Sequence, residues 1–189
     1  SDTESTQSNE SEVIQKIKIE AGSKIPEALT FLKDHSLYCF YLTDTTSIDT
    51  SIPKNHDLLI KVNDKIYSVT LEIVDTTAPM STPVNKEIWL GESVSASELV
   101  TNIKDTSGVT CSFVKEPDFS RSGQQDVVIL LEDEYGNTSQ ITSTLTIIED
   151  NIPPVITGAA NQTIYIGETI SYRKGVTVSD NRDDQVLLT

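Results

Sequence analysis

The chain repeats itself, and the repeat limits its fold more than any other feature. Three segments line up: IKIEAGSKI at 17–25, IWLGESV at 88–94 and IYIGETI at 164–170. Each sets an apolar-x-apolar run just before a glycine, with a β-branched residue three positions after it. The glycines are Gly22, Gly91 and Gly167, spaced by 69 and 76 residues, and each is followed by an aspartate, Asp34, Asp105 or Asp180. The ends of the units match as well. LEIVDTTAP (71–79) aligns with LTIIEDNIP (145–153) without a gap, DLLIKV (57–62) with DVVILL (126–131), and LYCFYL (37–42) with VTCSFV (109–114). Blocks recurring in one order mark tandem units, each a supersecondary package stacked on the next. The expected organisation is a polar linker over 1–11, module 1 over 12–76, module 2 over 77–151, and the N-terminal part of a third module over 152–189. That third module is expected to be incomplete, its remaining strands lying beyond Thr189 in a longer parent.

Inside each block the residues alternate. Leu58, Ile60 and Val62 share one face with their counterparts Val127, Ile129 and Leu131, and Lys61 falls on the other. Leu71 and Ile73 match Leu145 and Ile147, while Glu72 and Thr146 point away. A period of two with one polar face is the pattern of a strand that covers a core on one side. No long window carries the helical period, although SASELVTNI (95–103) allows a short helical turn. DEYGNTS (133–139) sets Gly-Asn between two strand patterns, and NDK (63–65) stands at the same point of module 1, so both read as hairpin turns. The fold class is all-β: tandem β-sandwich modules of six or seven short strands, the third incomplete.

Charge narrows the function. Lys plus Arg is 14 against 29 for Asp plus Glu, a formal net charge of −15. Such a surface repels phosphate backbones and anionic membranes, which argues against nucleic acid as a partner. No apolar run approaches the roughly 18 residues that would cross a bilayer as a helix, so membrane insertion by this segment is not expected. The opening SDTESTQSNE has no apolar residue and reads as a tether.

Catalytic chemistry has little to rest on. The two cysteines, Cys39 and Cys111, occupy equivalent inward positions a module apart, too far for the roughly 7 Å Cα separation of a disulfide. Both read as free thiols acting as small apolar core residues. His35 lies four residues before Cys39, a separation of roughly 13 Å on an extended chain, which opposes a Cys–His dyad. There is no GxSxG, no HExxH and no glycine-rich phosphate loop. The chain reads as no enzyme. Oxygen-rich clusters are a different matter, because calcium takes six to eight oxygen ligands. EDNIPP (149–154) and SDNRDD (179–184) supply the calcium candidates Glu149, Asp150, Asp180, Asp183 and Asp184, whereas VDTTAP (74–79) holds one carboxylate. No other cofactor is expected. The outward Tyr38 and Phe40, together with Trp89, form the candidate binding surface; the same aromatics could equally fill contacts between modules.

The DTTAP and EDNIPP junctions, the I-x-x-G-E-x-[VI] start, PDFSRSGQQDVVILLEDEYGN (117–137) and ISYRKGVTVSDNRDD (170–184) together carry a resemblance. They are similar to the bacterial immunoglobulin-like repeats of Gram-positive surface proteins, kin to hyalin-type and cadherin-like modules. The resemblance implies an extracellular location, at the cell surface or secreted, and a non-catalytic stalk that presents another domain of an exported protein. Segments like 152–184 resemble repeats ahead of transglutaminase-like or peptidase domains, which implies a catalytic neighbour beyond this chain. Two further roles stay open: an adhesion module for glycan or protein of host or cell wall, and an accessory region of that neighbouring enzyme. The partners implied are the adjacent domains of the parent protein and, for an adhesion module, such a ligand.

Overall fold

The computed structural model describes residues 12–183 and 186; the linker expected over 1–11 and the calcium candidate Asp184 lie outside the described residues. Among the described residues there are strands and two short 3-10 turns but no α-helix. Module 1 is built on a four-stranded sheet in the order β1 (Lys16–Glu20), β4 (Lys65–Val74), β3 (Lys54–Val62) and β2 (Cys39–Tyr41). Module 2 repeats it with β6 (Lys86–Trp89), β10 (Thr138–Ile148), β9 (Gly123–Asp133) and β8 (Val109–Phe113). In both sheets the first strand runs parallel to its neighbour and the rest are antiparallel. The second layer is thin. In module 2 it is the pair β5 (Met80–Pro83) and β7 (Val100–Lys104), and in module 1 it shrinks to a single bridge between Val13 and Leu32.

The register follows the alternation. Leu58, Ile60, Val62, Leu71 and Ile73 face one core, and Val127, Ile129, Leu131, Leu145 and Ile147 face the other. Fully burying an aliphatic side chain of this size contributes about 1.5–3 kcal/mol, so each inward row is a large part of its module's stability. Lys61 differs from expectation. It is half-buried rather than exposed, because its outward row sets it between Phe40 and Ile66.

Module 2 has the six strands that the pattern suggests, β5 to β10, whereas module 1 has four, β1 to β4. In both modules a 3-10 turn helps to close the core. Ala28–Phe31 drops Phe31 into the first core, and Ala96–Leu99 drops Leu99 into the second, both fully buried. The second turn is fixed by a capping box in which Ser95 and Glu98 satisfy each other's backbone. Lys86 also pairs with Glu98, and these contacts hold the Glu98 carboxyl down at about 2.

Residues 152–183 contribute one short pair, β11 (Val155–Thr157) with β12 (Thr177–Ser179), and contain no buried side chain. Ile164–Ile166 matches β6 in sequence, yet it pairs with no strand among the described residues. In module 2 the equivalent strand is held by β10, with Trp89 opposite Ile148.

Cys39 and Cys111 are free thiols in separate modules, half-buried against their cores rather than fully inside them. Burial pushes both thiols up, which lowers the thiolate fraction at neutral pH. Titration of denatured, unreduced protein is expected to find two thiols, and the native protein to alkylate more slowly than free cysteine. Absence of reactive thiols at unchanged monomer mass would contradict this placement.

Candidate functional site

Three carboxylates that are far apart in sequence meet where the first two modules join. Asp75 ends the first sheet just past β4, Asp105 follows β7, and Asp133 closes β9. Strand ends of successive modules face each other here, so residues from three loops converge. One oxygen from each lies within 4.8 Å of the others, and Asp75 and Asp133 are buried to 8 % and 6 % exposure. No lysine, arginine or histidine pairs with any of the three among the described residues.

Neutral donors hold the carboxylates in place. Thr106 donates its hydroxyl to Asp75 Oδ2 at 3.0 Å, and Ser107 donates its N–H and hydroxyl to Asp105 Oδ1. Asp133 Oδ1 accepts from the N–H groups of Tyr135 and Asn137, and Oδ2 accepts from the Asn137 amide at 2.7 Å. Burial pushes the Asp133 carboxyl up, but the hydrogen bonds from Asn137, Tyr135 and Gly136 outweigh it and leave it below the usual range. Its folded value therefore lies under the unfolded one of about 3.9. The stability it contributes is fully present above that pH and is lost as the pH falls through the folded value. Acid unfolding of module 2, followed by Trp89 fluorescence, is expected to begin only below about pH 4; an onset near pH 6 would contradict it.

The same donors bind the linker itself. Asn137 donates to the Asp75 carbonyl at 3.1 Å, and Ser139 donates its hydroxyl to the Pro79 carbonyl. From the other side, Glu20 accepts from the Thr76 N–H and from the hydroxyls of Thr76 and Thr77, which holds its carboxyl low. Gly22 turns the chain with φ +78°, and a Cβ there would lie 3.2 Å from Thr106 Cγ2. A side chain at that position meets backbone strain and the neighbouring module together.

The carboxylates singled out from sequence are not gathered in this way. Asp180 accepts from the N–H groups of Arg182 and Asp183, Asp150 from that of Ile152, and Glu149 is exposed. Among the described residues they form no group of three with one another or with Asp183. The physical reason is the third ligand. The first junction draws one carboxylate from the end of β9, and residues 152–183 hold no strand equivalent to it. Counting acids inside the linker pointed to the second junction, whereas the first collects its acids from loops 30 and 58 residues downstream of Asp75. The recurring aspartate after each module glycine was the visible signal.

Tyr38 and Phe40 do come together, with ring centroids 5.6 Å apart and planes tilted by 54°. Trp89 belongs to a different place. It stands opposite Ile148 as Glu20 stands opposite Val74, so its module 1 equivalent is Glu20. Arg182 sits 5.6 Å over its ring, so Trp89 contacts the segment that carries β12, while Tyr38 and Phe40 look outward from the first sheet. His35 and Cys39 do not form a dyad: His35 is exposed, and Cys39 packs inward against the first core.

No family model matches the chain, and no curated protein matches it. Solved structures give local likenesses. One is a Rib structure from Streptococcus pyogenes, 17 % identical, covering 36 % of this chain and 90 % of that one with a TM-score of 0.33. Another is the protocadherin gammaB7 EC3-6 cis-dimer, 16 % identical, covering 88 % and 54 % with a TM-score of 0.34. A third is human CDH23 EC21-23, 12 % identical, covering 89 % and 78 % with a TM-score of 0.34. The chain spans about half the length of the protocadherin structure it resembles.

Proposed function

We propose that this chain is a non-catalytic spacer of an exported protein, at the cell surface or secreted. It holds a neighbouring domain at a set distance and direction. The observation that carries this reading is the clamped linker: side chains of module 2 bind the backbone at Asp75 and Pro79, and Glu20 of module 1 binds Thr76 and Thr77. A proline in the linker removes further backbone freedom. A spacer needs what these contacts supply, a fixed angle between successive cores. The repeat pattern supports a parent of the Gram-positive surface type, with a transglutaminase-like or peptidase domain as the cargo presented. Residual dipolar couplings test the spacer directly. Modules 1 and 2 should fit one alignment tensor, and two independent tensors would overturn it.

A divalent cation deepens the same reading. Three carboxylates without a cationic partner leave like charges side by side, two of them buried, and their all-oxygen chemistry suits calcium or magnesium rather than zinc. Asp75, Asp105 and Asp133 would hold the ion, and its charge would tie the end of one module to the loops of the next.

A further inference from the structure

The second junction repeats the backbone of the first and exchanges its chemistry. Asp180 stands just past β12 as Asp105 stands just past β7. Each accepts at Oδ1 the N–H of the residue two positions on, Arg182 in one case and Ser107 in the other. The turn that follows the first strand recurs as well. Trp89 and Tyr165 each donate an N–H to the glutamate three positions on, Glu92 or Glu168, and each accepts that glutamate's N–H at its carbonyl. The antiparallel pair β11 and β12 stands where β5 and β7 stand. Residues 152–183 therefore carry the local framework of a module start, and the loop after β12 meets the preceding module as the loop after β7 does.

What meets across the two junctions differs. At the first, Gly22 comes up to Thr106, and Glu20 holds Thr76 and Thr77. At the second, Trp89 takes the strand position of Glu20, and Arg182 takes the loop position of Ser107. A carboxylate and a hydroxyl have become an indole and a guanidinium, and each exchange gives the other its partner. The guanidinium carbon lies 5.6 Å from the ring centroid, within the roughly 6 Å over which an aromatic face attracts a cation. No side chain of 152–183 is buried, so no core of its own fixes where this segment sits. A contact with module 2 can. The first junction gathers carboxylates that await a cation; the second brings a cation from the chain itself.

We propose that Arg182 docks the segment carrying β12 on module 2 by stacking on Trp89, so that the second junction holds without a divalent cation. The inference goes beyond the spacer reading and fails separately from it, because its readouts lie at Trp89 and β12 and not between modules 1 and 2. In the full chain the Arg182 δ protons should resonate upfield of those of Arg121 and Arg173 and show nuclear Overhauser contacts with the Trp89 indole. Residual dipolar couplings of 155–157 and 177–179 should fit the alignment tensor of module 2. Arg182→Ala and Arg182→Gln should each lower the docked-to-free ratio of the segment by about two- to fivefold, the range of an exposed cation–π contact. The couplings should shrink accordingly. Arg182→Lys, which keeps the charge, should retain more of the contact than Arg182→Gln. Arg182 is exposed, so unchanged urea unfolding of module 2 will separate lost docking from lost folding. Chelator should leave the wild-type couplings as they are. Arg182 shifts equal to those of the other arginines, or couplings unchanged in Arg182→Ala, overturn the proposal. Full retention by Arg182→Gln would make the contact one of shape rather than charge and refute it. Loss of docking in chelator would give the junction to a metal ion and refute it as well.

Discussion

Replacing Ile129 with alanine is expected to destabilise module 2 by about 2–5 kcal/mol, the usual loss when a buried aliphatic residue is emptied. Ile129 is fully buried, pairs with Phe113 on one side and Ile141 on the other, and has no polar route to water. A unit of this size has a small core and little stability in reserve, so a loss of that scale lowers the melting temperature of module 2 well below that of module 1. Module 1 has its own core, which shares none of these residues. Thermal unfolding should therefore split into two transitions, with the Trp89 signal following the earlier one. Gln140→Ala, on the outward side of the same ladder, should change stability by less than about half a kcal/mol, as surface substitutions do. Equal losses from both variants would mean the register is shifted by one residue, because a slip of one exchanges the two faces.

How much of this was legible in the sequence differs between core and junction. The inward rows of β3, β4, β9 and β10 could be read because strand geometry writes itself as a period of two, and the repeat wrote it twice. Of the 3-10 turns, Ala96–Leu99 was legible as the short helical turn allowed by SASELVTNI, and Ala28–Phe31 was not. Phe31 and Leu99 do equivalent work, but their segments share only spacing, with no matching run of residues. The carboxylate cluster was hidden for a different reason. Asp75, Asp105 and Asp133 look like separate turn residues, and several aspartates here do simply cap turns. Asp34, Asp44, Asp49 and Asp118 each accept the N–H and hydroxyl of the serine or threonine two positions on. Only stacking one module on the next separates the aspartates that meet from those that do not. The aromatic pair was visible because outward Tyr38 and Phe40 violate the polar face of an otherwise alternating strand.

The junction yields the prediction with the sharpest contrast of sign. In chelator, Asp105→Asn is expected to raise the melting temperature of the two-module unit, and Asp133→Asn to lower it. Two unit charges about 5 Å apart repel by roughly 3 kcal/mol at an effective dielectric of 20, so an unpartnered group of carboxylates stores repulsion that removing one charge relieves. Asp105 is only half-buried, and its bonds from Ser107 go to a single oxygen that asparagine retains. Relief then dominates, and a gain of about one kcal/mol corresponds to several degrees in a domain of this size. Asp133 uses both oxygens, one for two backbone N–H groups and the other for the Asn137 amide. An asparagine there would oppose an NH2 group to a donor on one side, and an unmatched buried donor costs more than the relief returns. Calcium reverses the ranking for Asp105. An ion bound at about 100 times its Kd stabilises the folded state by about 2.7 kcal/mol, and the asparagine variant, lacking one ligand charge, should gain much less. The wild-type melting temperature should therefore climb with calcium, while that of Asp105→Asn starts higher and stays nearly flat. A wild type indifferent to millimolar calcium would remove the cation from the junction. An Asp105→Asn variant no more stable in chelator than wild type would mean that repulsion at the junction does not govern its stability.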